Sequence, residues 1–241
     1  MNFEIVQNDI TQMSVDAVVL PANEKLKEGS GTSKAIFERA GRKELTKACS
    51  EIKTCKMGEA VPTLGFKLDA DYIIHTVVPK WNDGEHQEYD YLSAAYLSAL
   101  NVADVMNCET IAFPLLASGN NGFDLGLAYD IAKSSIESFS GVNIKKIFLV
   151  IYSDNIVTFL KGRGVSISNV QRIEIEAKEK GERKQKVKQL GKEGKEVAVK
   201  ILEEQISKAL NYLKDEENRE KVIAAGISIA QMVIKIATKK K

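Results

Sequence analysis

Short apolar runs alternate with amphipathic segments along the first two thirds of the chain. Six runs rich in β-branched and aromatic residues are predicted to be strands, at residues 3–6, 15–20, 61–66, 72–78, 110–115 and 146–152. Five segments carry apolar residues at helical spacing and are predicted to be helices, at 33–40, 42–53, 89–106, 125–139 and 154–160. Several of the strands are apolar at every position, which is typical of strands buried on both faces. The alternation therefore predicts an α/β fold, with a central sheet covered by helices on both sides.

A glycine-containing loop follows the second predicted strand. The run Val15 to Asn23 reads as a buried strand that Pro21 ends, and it leads to Gly29-Ser30-Gly31-Thr32-Ser33 and a helix. Glycines let main-chain N–H groups approach a ligand, and a helix N-terminus favours anions. The loop is thus a candidate phosphate site, with an ordinary tight turn as the alternative.

A second loop repeats this arrangement after the strand that begins near Thr110. The polar turn Ser118-Gly119-Asn120-Asn121-Gly122 is followed by Phe123 and a predicted helix. Ligands of α/β sheets collect at the carboxyl ends of strands, where both loops lie. We therefore expect the two loops to hold opposite sides of one diphosphate.

Charge divides the chain into two unlike parts. Residues 1–161 hold 15 Lys and Arg against 21 Asp and Glu, a net charge of −6, whereas residues 162–241 have a net charge of +7. We predict a folded domain at 1–161, a charged linker region at 162–193 and a helical extension at 194–241. Residues 167–175 are predicted to form a further strand or a hairpin arm.

The extension leaves several kinds of partner open. Its most apolar helix, predicted at 222–236, is shorter than the ~20 residues of a membrane span. Packing on a partner helix or a second copy is favoured over attachment to a membrane surface. Glutamates alternate with its lysines and no aromatic residues are interleaved, so nucleic acid is not an expected partner.

Several classes of chemistry lack their usual motifs. Cys49, Cys55 and Cys108 have neither the close spacing nor the histidine neighbours of a zinc site, so no metal is expected and the thiols are predicted to be buried or idle. The chain has no nucleoside triphosphate loop, no nucleophile elbow and no dinucleotide fingerprint. Its N-terminus does not resemble a secretory signal, which predicts a cytoplasmic location.

Five elements in the same order resemble the macrodomain family, whose members bind ADP-ribose. They are the start Gln7-Asn8-Asp9-Ile10-Thr11, the strand and loop from Val15 to Ser33, the strand from Tyr72 to Trp81 and the loop from Phe113 to Phe123. The resemblance covers roughly residues 1–160. It implies a three-layer α/β/α fold with a mixed, mostly parallel sheet, and a ligand that is ADP-ribose or an ADP-ribosylated protein. No cofactor is implied, and His75 is expected to be a satisfied core histidine.

The resemblance also implies roles for individual residues. The Asp9 carboxylate would accept from the adenine amine, and the Ile10 N–H would donate to a ring nitrogen. Asn23 would place the ribose at the reactive end, although an Asn there could simply satisfy its own backbone. The other expected ligand contacts are Ala22, Gly29, Ser30, Gly31, Thr32, Ser33, Ser118, Gly119, Asn120, Asn121, Gly122, Phe123 and, beside the adenine, Tyr152.

The chain departs from the family pattern where catalysis is concerned. Leu20 replaces an asparagine, and Ser33 stands where hydrolytic members often carry an aspartate. A serine hydroxyl is a poor general base without a partner. Asp124 is a hypothetical replacement that would activate water, and its alternative is an N-cap of the next helix. Two functions therefore stay open: an enzyme that removes ADP-ribosyl groups or deacetylates O-acetyl-ADP-ribose, with Asn23 and Asp124 as catalytic residues, or a reader that only binds.

Overall fold

The computed structural model describes residues 2–169, which form a seven-stranded sheet in the order β3-β4-β2-β5-β6-β1-β7. The strands are β1 (Asn2–Gln7), β2 (Val15–Ala22), β3 (Ala60–Leu64), β4 (Ala70–Val77), β5 (Thr110–Pro114), β6 (Lys146–Ile151) and β7 (Ser168–Asn169). Only β3 runs antiparallel, against β4, and the other described pairs are parallel. The expected mixed, mostly parallel sheet is confirmed.

Five α-helices cover the two faces of this sheet. They are α1 (Thr32–Ala40), α2 (Arg42–Ile52), α3 (Glu88–Val105), α4 (Leu125–Ser138) and α5 (Asp154–Gly162), with a short 3₁₀ turn at Ile10–Gln12. Buried residues of α1 and α2 belong to one apolar cluster, and those of α3, α4 and α5 belong to another. The three-layer α/β/α architecture is therefore confirmed for the described part of the chain.

The central strand β2 explains why its sequence is apolar at nearly every position. Ala17 and Val19 pack into the cluster of α3, α4 and α5, whereas Val18 and Leu20 pack into the cluster of α1 and α2. All four are at most 1% exposed. Successive side chains of a strand point to opposite faces, so burial of both faces requires a continuous apolar run.

The prediction that Pro21 ends this strand is wrong. β2 continues to Ala22, and Pro21 pairs with Thr76 of β4. On the other side of β2, the ladder with β5 covers only Ala17 and Val18. Proline lacks an N–H and is tolerated where no ladder bond is lost. Beyond Val18 the side of β2 that faces β5 forms no ladder and resembles the edge of a sheet. The strand therefore tolerates Pro21 and extends four residues past Val18.

The other predicted elements agree with the structure to within one or two residues at each end. β7 forms the beginning of the predicted strand or hairpin arm at 167–175, and the remainder of that arm lies outside the described residues. Of the predicted linker region only 162–169 is described, and it holds the end of α5 and β7, whereas the predicted helical extension lies wholly outside the described residues. Within residues 2–169, no helix is both long enough and apolar enough to cross a bilayer.

The core also holds the three thiols and one histidine. Cys49, Cys55 and Cys108 are buried, as predicted, and burial raises the pKa of Cys49 to about 11. His75 is fully buried, and its Nε2 lies 2.9 Å from Thr63 Oγ1. Its Nδ1 has no hydrogen-bond partner, so the expectation of a fully satisfied core histidine is only half right.

Candidate functional site

The parallel strands bring every predicted site residue to one edge of the sheet. The two glycine loops follow β2 and β5, which are neighbours. Asp9 follows β1, and Tyr152 follows β6, which is next to β1. Parallel neighbours end at the same edge, so the carboxyl edge collects all four segments.

Asn23 orders the turn that leads from β2 to the first glycine loop. Its Oδ1 accepts from the main-chain N–H groups of Lys25 at 3.2 Å and Lys27 at 3.1 Å, and its Nδ2 donates to the Lys27 carbonyl at 2.7 Å. The side chain thus satisfies its own backbone, which was the alternative role. An amide nitrogen has two hydrogens, so one N–H remains available to a ribose. That ligand contact stays a prediction.

The end of the first loop presents a helix N-terminus. Gly31 is the N-cap of α1 with φ of 56° and ψ of −126°, and as a glycine it has no side chain that could cap the first turn. A Cβ on Gly31 would meet nothing within 4 Å, so glycine is required by the backbone rather than by space. An uncapped first turn leaves main-chain N–H groups and the positive end of the helix dipole for an anion.

Ser33 lies in the first turn of α1 with its hydroxyl directed back to the loop. Ser33 is 4% exposed, and its Oγ accepts from the N–H of Gly29 at 3.0 Å. This bond closes the loop onto the helix. A buried hydroxyl that orders the loop is not placed as a general base, which agrees with the sequence argument.

The second glycine loop is strained and anchored. Ala117 has φ of 62°, a conformation that a residue with a side chain rarely adopts. The Ser118 hydroxyl donates to the Leu115 carbonyl at 2.7 Å. Asn121 Nδ2 donates to the Pro79 carbonyl at 2.7 Å, so this side chain holds the loop to the segment after β4. Strain that the surroundings maintain is often found at ligand sites.

The two glycine loops meet. Asn120 Nδ2 donates to Ser30 Oγ at 2.7 Å, although 90 residues separate them in the sequence. Both side chains are exposed, as are Gly29, Gly31, Gly119 and Gly122. The expected pair of facing loops at one place is therefore what the fold produces, with the glycine backbones open to solvent.

Aromatic side chains pack behind the second loop. Phe123 is 4% exposed, and its ring lies 5.1 Å from that of Trp81 in an edge-on arrangement. Trp81 is half-buried and also meets Tyr89 edge-on at 5.5 Å. Trp81 also packs against the apolar cluster of α3, α4 and α5.

The other end of the edge carries Asp9 and Tyr152. Asp9 Oδ1 accepts from the N–H of Thr11 at 2.9 Å and from its hydroxyl at 2.8 Å, which fixes the orientation of the carboxylate. Tyr152 is 79% exposed. Three strand spacings separate β2 from β1, which is about 14 Å. The edge therefore suits an elongated ligand with two different ends.

Asp124 caps α4. Its Oδ1 accepts from the main-chain N–H groups of Gly126 at 2.9 Å and Leu127 at 3.0 Å. The N-cap alternative is therefore observed. The cap uses one carboxylate oxygen, and the hypothesis that Asp124 activates water stays a prediction.

Sequence reasoning assigned nothing to the loop between β4 and α3. His86 Nδ1 lies 2.9 Å from Asp83 Oδ1. Burial raises the pKa of Glu88, but hydrogen bonds from main-chain N–H groups outweigh burial and lower this pKa to about 2. Asp83, His86 and Glu88 bring ligand atoms within 4.8 Å of one another. The Glu88 oxygens are already engaged by main-chain N–H groups, which leaves a poor site for a cation. A glutamate at a helix start after Asn82-Asp83-Gly84 was the available signal.

The fold and the edge together define an α/β protein whose candidate site lies at two glycine loops that meet at the carboxyl edge of the sheet. The Macro domain family model matches residues 19–132. An O-acetyl-ADP-ribose deacetylase from Escherichia fergusonii is 40% identical over 139 residues, covering 56% of this chain and 78% of that protein.

Solved structures agree with this match. An Oceanobacillus iheyensis macrodomain with ADP superposes with a TM-score of 0.63 at 31% identity, covering 67% of this chain and 88% of that one. A Trypanosoma brucei macrodomain in complex with ADP-ribose superposes with a TM-score of 0.60 at 25% identity, covering 68% and 69%. The chain belongs to the macrodomain family.

Proposed function

We propose that this chain binds ADP-ribose, either free or attached to a protein, along the carboxyl edge of its sheet. The diphosphate lies between the two glycine loops, the adenine lies at Asp9 and Tyr152, and the second ribose lies near Asn23 and Phe123. Relatives of this chain are named for ADP-ribose chemistry or were solved with ADP or ADP-ribose, which supports the ligand class.

The contact between Asn120 and Ser30 carries this proposal. A hydrogen bond of 2.7 Å brings the two loops to one place, so main-chain N–H groups from both can reach the same phosphate groups. The uncapped N-terminus of α1 adds a favourable dipole there. Glycines at both loops keep side chains from covering those N–H groups.

The adenine end depends on an acceptor that cannot donate. Asp9 is held through one carboxylate oxygen by Thr11, and its other oxygen is the acceptor that we assign to the adenine amine. The N–H of Ile10 is the neighbouring donor. Together they would distinguish adenine from a base that carries an oxygen at the same ring position.

Hydrolysis of an ADP-ribose derivative is a second candidate function. The 40% identity to an O-acetyl-ADP-ribose deacetylase, over 78% of that protein, favours it. Two hydrogen bonds argue against hydrolysis, because they give structural roles to the candidate catalytic groups. The Ser33 hydroxyl accepts from the Gly29 N–H, and the Asp124 carboxylate caps α4. We therefore place binding first, and we propose Asn23 and Asp124 as the residues to test for turnover.

Calorimetric titration of the full chain with ADP-ribose tests the binding proposal. The substitution Asp9→Asn should weaken ADP-ribose binding about tenfold to a hundredfold, because a hydrogen bond to a charged group is lost. A ligand with hypoxanthine in place of adenine lacks the amine. It should bind the parent protein less tightly than ADP-ribose, and Asp9→Asn should narrow that difference.

Asp154→Asn is the matched control. It removes the same charge from the same region, since Asp154 Oδ1 accepts from Gln7 Nε2 at 2.7 Å at the end of β1. This variant should keep the preference for adenine. Absence of ADP-ribose binding by the parent protein at millimolar ligand would refute the proposed function.

A further inference from the structure

The loop that joins β4 to α3 is built around one buried carboxylate. Glu88 is the first residue of α3 and is 2% exposed. Its carboxylate accepts from four main-chain N–H groups, those of Asn82 at 3.2 Å, Asp83 at 3.3 Å, Gly84 at 3.2 Å and His86 at 2.6 Å. One side chain therefore holds a loop whose other side chains are mostly exposed.

Four donors on one carboxylate make an arrangement that is costly to disturb. Hydrogen bonds to a charged group are about twice as strong as neutral ones, and a buried donor left unpaired costs free energy. Burial raises the pKa of Glu88, but the main-chain donors outweigh it and lower the pKa to about 2, so the carboxylate is charged near neutral pH. The segment from Asn82 to His86 thus has one preferred conformation.

Trp81 joins this braced segment to the second glycine loop. Its main-chain N–H donates to the carbonyl of Asn121 at 2.7 Å, and its ring packs edge-on against Phe123. A Cβ on Gly84 would lie 3.0 Å from Trp81 Cη2, and a Cβ on Gly122 would lie 3.8 Å from Trp81 Cβ. Trp81 therefore lies between the segment that Glu88 holds and the loop that faces Ser30.

We propose that Glu88 is a positioning residue for the diphosphate and second-ribose end of the site, acting through Trp81 on the second glycine loop. The inference rests on the proposed function. It assigns to Glu88 no contact with the ligand itself. Displacement of Trp81 would move Asn121 and Phe123, which both contact it, and with them Gly122, which lies between the two in the sequence.

The adenine end should be independent of this arrangement. Asp9 is held by Thr11, within the turn after β1. Tyr152 follows β6, and β1 and β6 pair along their whole lengths. Loss of the Glu88 carboxylate should thus weaken the binding of ligands that fill both ends of the site. It should leave unchanged the affinity for ligands that fill only the adenine end.

The test compares ADP-ribose with adenosine, which has no phosphate, on the full chain by calorimetry. Glu88→Gln keeps the shape of the side chain but replaces one acceptor oxygen with an N–H₂ group that faces main-chain donors. The dissociation constant for ADP-ribose should rise about tenfold, because the second glycine loop is no longer held in the geometry that binds the diphosphate. The dissociation constant for adenosine should not change.

Asp104→Asn is the matched control at the other end of the same helix. Asp104 is 3% exposed and accepts from the main-chain N–H groups of Val142, Asn143 and Ile144 at 3.1, 2.7 and 3.0 Å. These residues precede β6, at the opposite edge of the sheet from the site. This variant should unfold at a lower temperature and bind both ligands as the parent does.

A second variant keeps the test decisive if Glu88→Gln does not fold. Trp81→Leu leaves Glu88 in place and removes the aromatic link, and it should produce the same loss for ADP-ribose alone. Unchanged ADP-ribose affinity in the folded variants, or an equal loss of adenosine affinity, would overturn the positioning role while the proposed function stands. A parent protein that binds no ADP-ribose would overturn both.

Discussion

His75 is the residue whose burial has the clearest consequence for stability. It is fully buried on β4 with Nδ1 unpartnered, and burial lowers its pKa from 6.5 to about 3. The folded protein therefore keeps His75 neutral, whereas the unfolded chain takes up a proton as the pH falls below 6.5. Above pH 6.5 His75 is neutral in both states, so its protonation takes nothing from the free energy of unfolding. As the pH falls from 6.5 towards 3, protonation of the unfolded chain lowers that free energy progressively.

We expect the free energy of unfolding to fall by up to about 1.4 kcal/mol per pH unit between pH 6 and pH 4.5 on account of His75. Urea unfolding of the parent and of His75→Leu across this range measures the effect, and the variant should have the flatter profile. The pKa of His86 is raised by its hydrogen bond to Asp83, and that of Glu88 is about 2, so these groups act mainly outside this range. Parallel profiles would contradict the assignment.

At the scale of the element, α4 separates the two interpretations of Asp124. The cap requires an acceptor oxygen, which asparagine and serine also supply, whereas activation of water requires a carboxylate. Asp124→Ala should lower the free energy of unfolding by about 1 kcal/mol, and Asp124→Asn should retain most of it. Chemical unfolding measures this difference.

The same pair of variants decides the catalytic question. Both are assayed on O-acetyl-ADP-ribose and on an ADP-ribosylated protein, and we expect Asp124→Asn to match the parent in both assays. Loss of turnover in Asp124→Asn with stability retained would make Asp124 catalytic rather than structural.

At the scale of the whole molecule, the described residues contain both apolar clusters and all the residues of the candidate site. β7 pairs in parallel with β1, with Ser168 opposite Val6 and Asn169 opposite Gln7. Residue 169 therefore lies at the carboxyl edge of the sheet, near Asp9. The segment from 162 onwards has a net charge of +7. Its domain boundaries, its partners and the cytoplasmic location of the protein stay predictions.

A chain cut after residue 175 should fold and bind ADP-ribose with unchanged affinity, because residues 2–169 by themselves supply two extensive buried apolar clusters. Circular dichroism on heating and calorimetry, each compared with the full chain, measure both properties. A truncated chain that fails to fold, or binds more weakly, would give the extension a part in the domain or in the site.

The sequence by itself determined the elements and their order, because these follow from local periodicity. It also predicted the carboxyl edge as the place of the ligand, from the rule that parallel strands end together. It did not reveal that β2 runs past Pro21, since this depends on how far the neighbouring ladder extends. It also left two roles open for each of Asn23 and Asp124. The structure shows the local role of each, which is hydrogen bonding between Asn23 and the main chain nearby and the cap that Asp124 makes on α4. Only the tertiary structure brought Asn120 to Ser30 and placed Glu88 and Trp81 behind the second loop. Contacts between residues far apart in sequence depend on register and side-chain direction across the whole fold, which no local pattern encodes.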